Sequence, residues 1–247
     1  MNRLRRALLV GFLGLVSLAV VGLIAWASAT HRASTDAREA LKKADTDNGD
    51  WYAFAPDDGS YPTVGVVLYP GANVSSDAYA LLAQQLAEES GALVAVARVP
   101  LNLAFLDQDA AREVIEAYPD IKAWVVGGHS LGGAVAARFA QANPKEVRGL
   151  LLWASRPPGD TDLSDSELAV TSIHGSRDEL ISSASIAEAR TRLPASAVYV
   201  EIEGANHYYF GDYGEQSDDG EPTISRDEAR AQIVGASSDL IERVRSG

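Results

Sequence analysis

The chain has 247 residues, 47% of them apolar, enough for one α/β domain with a buried core and too apolar for a disordered chain. It contains no cysteine, which excludes disulfides, thiolate zinc sites, a cysteine nucleophile and a lipidated cysteine anchor. The formal net charge of −13 opposes nucleic-acid phosphates and broad docking on anionic lipid.

The chain opens with Arg3, Arg5 and Arg6, followed by an uncharged apolar stretch from Ala7 to Ala29. That length suffices to cross a hydrocarbon core as a helix, and leading arginines favour an inside N-terminus. Residues 1–29 are therefore expected to be a transmembrane anchor with the remainder on the extracytoplasmic side. The alternative is a signal segment cleaved at Ala27-Ser28-Ala29, releasing a secreted protein. Residues 30–50 read as a polar linker, a polar helix followed by a turn-rich stretch. Within it, "DTDNGD" evokes a calcium loop. Counted from Asp45, however, the fifth and twelfth positions hold Gly49 and Pro56, which are not ligands, so a turn is expected.

From Trp51 strand and helix patterns alternate. "WYAFAP" predicts an edge strand, "YPTVGVVLYP" a buried strand and "SSDAYALLAQQLAEES" a helix with Ser/Asp at its start. "ALVAVARV" predicts a strand. The loop after it, "PLNLAFL", is apolar for a loop: packing is the plain expectation and pocket lining the functional one. Helix 109–119, strand "IKAWVVGG", a helix after Ser130, strands "VRGLLLWAS" and "AVTSIHG", helix "SASIAEARTRL" and strand "AVYVEIEG" follow. The last helix begins at Ser225, with Glu228 placed for a capping box. Such alternation predicts a single α/β domain over 51–247, a mostly parallel sheet with helices on both faces.

In an open α/β sheet, functional groups gather outside the carboxyl ends of the strands. Ser130 stands there in "GGHSLGG", between a strand and a helix, with the G-x-S-x-G spacing of a nucleophile elbow. Asp178 follows "SIHG" and His207 follows "VYVEIEG", giving the order Ser, Asp, His. A serine hydroxyl needs a base to become a nucleophile, and an imidazole base needs an acceptor on its other nitrogen. His31 lies beside the apolar segment, His129 inside the elbow and His174 at a strand end, so His207 is the expected base. The backbone N–H of Leu131, just after the serine, is one expected oxyanion donor.

In "VVLYPGANVSSDAYALLAQQLA", "GGHSLGGAVAARFA", "HGSRDELI" and "GANHYYFGDYG" the chain resembles the α/β-hydrolase superfamily, and most closely its small, dienelactone-hydrolase-like members. The resemblance spans about residues 50–245. It implies an α/β-hydrolase fold and a serine hydrolase that cleaves small-molecule carboxylic esters through an acyl-enzyme, without metal or organic cofactor. It assigns the second oxyanion donor to Ala72, in a Pro70-Gly71-Ala72 loop where the family usually has His-Gly-x. Only residues 156–169 separate the strands that usually flank an inserted cap, too few for a helical cap domain. An amidase or acyltransferase on the same triad, or a tethered binding module of the same fold, are the alternatives. Residues 212–221 carry five acids, expected as a solvated loop or as an acidic rim that slows anionic substrates.

Overall fold

The computed structural model describes residues 11–18, 20–22, 24, 30–56 and 62–247. Its eight strands are β1 (Thr46–Asp47), β2 (Trp51–Phe54), β3 (Val64–Tyr69), β4 (Leu93–Ala97), β5 (Ala123–His129), β6 (Val147–Trp153), β7 (Ala169–Gly175) and β8 (Val198–Ile202). They form one sheet in the order β1-β2-β4-β3-β5-β6-β7-β8. Pairing is parallel from β4 to β8, whereas β1–β2 and β2–β4 are antiparallel. Among the described residues from 30 onward the α-helices are α1 (Thr35–Leu41), α2 (Ala80–Ser90), α3 (Ala110–Ala117), α4 (Leu131–Ala142), α5 (Ser183–Ala189) and α6 (Arg226–Ser246).

Central strands are buried on both faces, so their runs are apolar throughout, as parallel sheets require. Successive side chains still part to opposite faces. Val66 and Leu68 join one core with Leu82, Leu86, Trp153, Ile233 and Ile241 beneath α1, α2 and α6. Val67 and Tyr69 join a second with Val114, Val126, Val135 and Phe139 beneath α3 and α4. The capping box of Ser225 and Glu228 is formed at the start of α6. Residues 154–168 contain no helix, so this connection places no helical cap over the carboxyl ends of the strands.

The chain runs from β3 outward to β4 and then returns to place β5 on the other side of β3. The gap above β3 and β5 is thus the point where strand order reverses, where the connections leave in opposite directions and open a crevice. Tyr69 pairs with Gly128 at the carboxyl ends of these strands. Residues 70–75 and Ser130 therefore emerge side by side.

Two expectations differ from the structure, and the turn expected at residues 45–50 is present. Residues 30–50 are not a free linker. Ala33, Ala37 and Ala40 are buried in the α2–α6 core, Ser34 caps α1, and β1 extends the sheet. Small alanines at helical spacing need little apolar character to dock closely, which is why the stretch reads as polar. The "WYAFAP" strand is not the edge: β1 covers it, and all four residues of β2 are buried. The Asp45–Asp50 stretch is a hairpin turn, with Gly49 at φ 97° and Asn48 Oδ1 accepting the N–H groups of Asp50 and Trp51. As for the anchor, residues 11–18, 20–22 and 24 are helical and exposed, while residues 7–10, 19, 23 and 25–29 lie outside the described residues. Among the described residues no helix is long and apolar enough to cross a membrane, which leaves the transmembrane anchor, and the membrane as a partner, without structural support.

Candidate active site

Ser130 sits at the junction of β5 and α4 with φ 53° and ψ −119°, a strained conformation for a residue with a side chain. The neighbouring backbone holds it there. Ser130 N–H donates to the Trp153 carbonyl at 2.9 Å, and Ser155 Oγ donates to the Ser130 carbonyl at 2.6 Å. The sharp turn brings α4 against the end of β3, where a Cβ on Gly132 would lie 2.2 Å from the Tyr69 carbonyl oxygen. Glycine after the serine is therefore a demand of close approach.

Asp178 and His207 come from the loops after β7 and β8, which are laced together. Arg177 N–H donates to the Ala205 carbonyl at 2.9 Å, and Gly204 N–H to Ser176 Oγ at 2.9 Å. Asp178 Oδ1 accepts the N–H groups of Leu180 (2.9 Å) and Ile181 (2.7 Å), while Oδ2 lies 2.8 Å from His207 Nδ1. A carboxylate only accepts, so His207 Nδ1 carries the proton and Nε2 is left as the basic lone pair. Both side chains are shut off from solvent. Arg226, at the start of α6, braces the histidine loop from below through the carbonyls of Tyr208, Gly211 and Tyr213.

The link between this pair and the elbow is His129. Its ring centroid lies 4.5 Å from that of His207. The structure brings Asp178 and His207 into contact and sets His207 against the elbow. It records no hydrogen bond from Ser130 Oγ to His207, a bond that in such sites commonly tightens only around substrate.

The expected oxyanion donors, Ala72 and Leu131, lie on either side of the crevice. On both sides of Ala72 the N–H groups are engaged, Gly71 donating to Tyr79 Oη at 2.9 Å and Asn73 to the Asn102 carbonyl at 2.9 Å, and before Leu131 the N–H of Ser130 donates to Trp153. Those of Ala72 and Leu131 have no protein acceptor among the described residues. Leu131 is also the first residue of α4, where unpaired N–H groups and the helix dipole favour negative charge.

Sequence reasoning passed over Tyr79 and His129. Tyr79 Oη accepts from Gly71 and shares a hydrogen bond with His129 Nδ1 at 2.9 Å, tying the 70–72 loop to the elbow. Burial, with a smaller push from a charge on His207, drives the His129 pKa well below the usual histidine value. A neutral ring against His207 does not oppose the positive charge that a working base acquires. No sequence pattern marks this contact, because it joins residues 50 positions apart.

The "PLNLAFL" loop divides. Leu103 and Ala104 pack inward, whereas Leu101, Phe105 and Leu106 are 47–48% exposed. Its backbone is held to the 70–73 loop, the Asn102 carbonyl accepting the Asn73 N–H. The acidic loop divides too: Asp212 is buried against Arg230 at 2.7 Å, and Glu215, Asp218 and Glu221 are exposed. A cavity of about 490 Å³ lined by Gln141, Arg148, Leu163 and Glu167 lies at the amino ends of β6 and β7, the wrong end of the sheet for this chemistry.

A family model described as the alpha/beta hydrolase family matches residues 65–231. Among solved structures, the chain is similar to Thermogutta terrifontis esterase 2 phosphonylated by cyclosarin. There the TM-score is 0.62 and the identity 15%, covering 83% of this chain and 95% of the other. It is also similar to the esterase domain of a Rhodothermus marinus protein (TM-score 0.58, 13% identity, 78% and 92% covered). A further match is a predicted CIB-like hydrolase from Thermoplasma acidophilum (TM-score 0.58, 16% identity, 76% and 91% covered). No curated protein matches the chain.

Proposed function

Because the chain belongs to the alpha/beta hydrolase family, we propose that it is a serine esterase in which Ser130, His207 and Asp178 form the triad. The observation that carries this reading is the buried 2.8 Å contact of Asp178 with His207 Nδ1, which leaves Nε2 unprotonated beside the elbow of Ser130. Ester hydrolysis rather than amide cleavage or acyl transfer is favoured by the esterases among the structural neighbours.

In this mechanism His207 Nε2 takes the proton of Ser130 as Oγ bonds to the ester carbonyl carbon. The carbonyl oxygen becomes an oxyanion facing the N–H groups of Ala72 and Leu131. The C–O bond to the alcohol then breaks, and His207 returns the proton to the leaving oxygen. Water attacks the acyl-enzyme with His207 again as base, and the carboxylic acid departs from Ser130. Asp178 Oδ2 accepts from His207 Nδ1 throughout; its Oδ1 is fixed by two backbone N–H groups, so the imidazole has one available orientation. With no cap over the crevice, little of a long acyl chain is covered, so short acyl esters are the expected substrates.

The test is labelling by a fluorophosphonate together with hydrolysis of p-nitrophenyl acetate. Ser130→Ala should abolish labelling and lower turnover by about 10⁴-fold or more, with an unchanged melting temperature. Labelling or near-normal turnover in that variant would overturn the assignment.

A further inference from the structure

We propose that Asp219 is a positioning residue: it clips the loop that bears Asp178 to the loop that bears His207. Its Oδ2 accepts the N–H of Tyr208, the residue after His207, at 3.0 Å. Its Oδ1 accepts the N–H of Glu179, the residue after Asp178, at 3.3 Å, and that of Gly220 at 2.9 Å. Gly220 completes the clip. Its carbonyl accepts Asn206 Nδ2, from the residue before His207, at 2.7 Å. Its α-carbon lies so close to the loop that a Cβ would sit 2.1 Å from the carbonyl oxygen of Arg177, the residue before Asp178. Residues 219–220 thus touch the chain on both sides of both members of the pair.

This sets Asp219 apart from the other acids of its loop. Glu215, Asp218 and Glu221 point into solvent, and Asp218 Oδ1 meets only the Ser217 hydroxyl. Asp219 is half-buried, and burial raises its pKa against the opposing pull of the three N–H donors. A carboxylate withdrawn from water and given to backbone N–H groups acts as a strut, since charge-assisted bonds of this kind are stronger than neutral ones. The need for a strut follows from the topology. Asp178 and His207 leave the ends of two different strands, and the molecule has no cap to press their loops together. Small misplacements of a catalytic group are costly, so a device that fixes their separation acts on turnover rather than on substrate affinity.

The inference rests on the triad reading, and the experiment separates the two. Asp219→Asn, Asp219→Ala and Asp218→Asn are compared with wild type and Ser130→Ala on p-nitrophenyl acetate, with kcat expressed per fluorophosphonate-titrated serine. The two Asn variants remove the same charge from adjacent positions. Asn at 219 keeps one acceptor for Glu179 and Gly220 but turns an amide donor toward Tyr208 N–H; Ala loses both halves. The expected result is a kcat about tenfold lower for Asp219→Asn and about a hundredfold lower for Asp219→Ala, with KM within about twofold and Asp218→Asn at wild type. The clip is overturned if the Asp219 variants match Asp218→Asn. It is also overturned if their loss appears only in KM or only in the amount of titratable enzyme. If Ser130→Ala retains turnover, the triad reading falls instead.

Discussion

His207 and His174 each face a carboxylate across the β7–β8 side of the sheet, at 2.8 Å for Nδ1 to Asp178 and at 3.2 Å for Nε2 to Glu201. His174 lies on β7 and Glu201 is its register partner on β8, so the contact is a by-product of strand pairing. Glu201 is half-wet, and its Oε2 is shared with the Ser183 hydroxyl. His174 is buried while Glu201 is half exposed, so water screens the contact from the carboxylate side. The other pair sits beyond the strand ends, where neither partner is constrained by pleat or register. There Asp178 has both oxygens fixed and its side chain shut off from solvent, and His207 turns its free nitrogen to the elbow. The same two side-chain chemistries make a half-exposed contact on paired strands and, in the proposed mechanism, the catalytic arm on a loop. What differs is the freedom to aim the second ring nitrogen and the number of N–H groups that hold the carboxylate.

The sharpest way to break this comparison is to treat the two pairs alike. Asp178→Asn should lower kcat/KM for p-nitrophenyl acetate by about 10³- to 10⁴-fold, because an amide no longer holds Nδ1 as the protonated nitrogen. Glu201→Gln and His174→Ala should leave it within about twofold. Comparable losses at both pairs would mean that His174 belongs to the machinery.

A second test concerns the third buried histidine of this side of the molecule. Burial lowers the His129 pKa in the folded state, whereas in the unfolded chain it titrates near 6.5. Below that pH the unfolded chain takes up a proton that the folded one refuses. The neutral His129 therefore favours the fold fully above about pH 6.5. Its contribution is lost as the pH falls from there toward the folded value, at up to about 1.4 kcal/mol per pH unit. Chemical denaturation at pH 7.5 and pH 5 should show wild type losing more stability than His129→Gln; equal losses would contradict a neutral, buried ring.

The smallest effect belongs to the exposed acids. Glu215, Asp218 and Glu221 set a negative potential beside the crevice, which should slow an ester carrying a carboxylate relative to a neutral isostere. The difference should shrink as salt rises, since screening acts over about 8–10 Å. A ratio of kcat/KM that ignores ionic strength would reduce these acids to solvated surface.

Much of this was readable in the residues. β3, β4 and β5 are continuous apolar runs, which only a doubly covered sheet requires, and the Gly-x-Ser-x-Gly spacing between a strand and a helix reports a turn with few steric solutions. Asp178 and His207 were legible through their place at strand ends and their order. The features missed share a physical cause: they depend on how loops close on one another. β1 is two residues long and exists because β2 offers it an edge. The α1 region buries alanines, whose apolar signal is weak. Tyr79, Arg226 and Asp219 act through backbone groups of distant segments, which have no residue type to betray them, and His129 acts through rings that only the fold brings together.

The path of residues 30–33 bears on how the enzyme can be handled. His31 N–H donates to the Asn73 carbonyl, Ser75 N–H donates to the His31 carbonyl, and Ala33 bridges to Tyr213, so this stretch is laid along the oxyanion loop like a splint. A tag, a fusion partner or a solid support attached ahead of Thr30 therefore pulls on the rim of the crevice. At the other end of the molecule, α6 finishes with Arg245 holding the Ser90 carbonyl, a full helix length from the histidine loop that its first residue braces. For immobilisation or display, the far end of α6 is the mechanically quiet point of attachment.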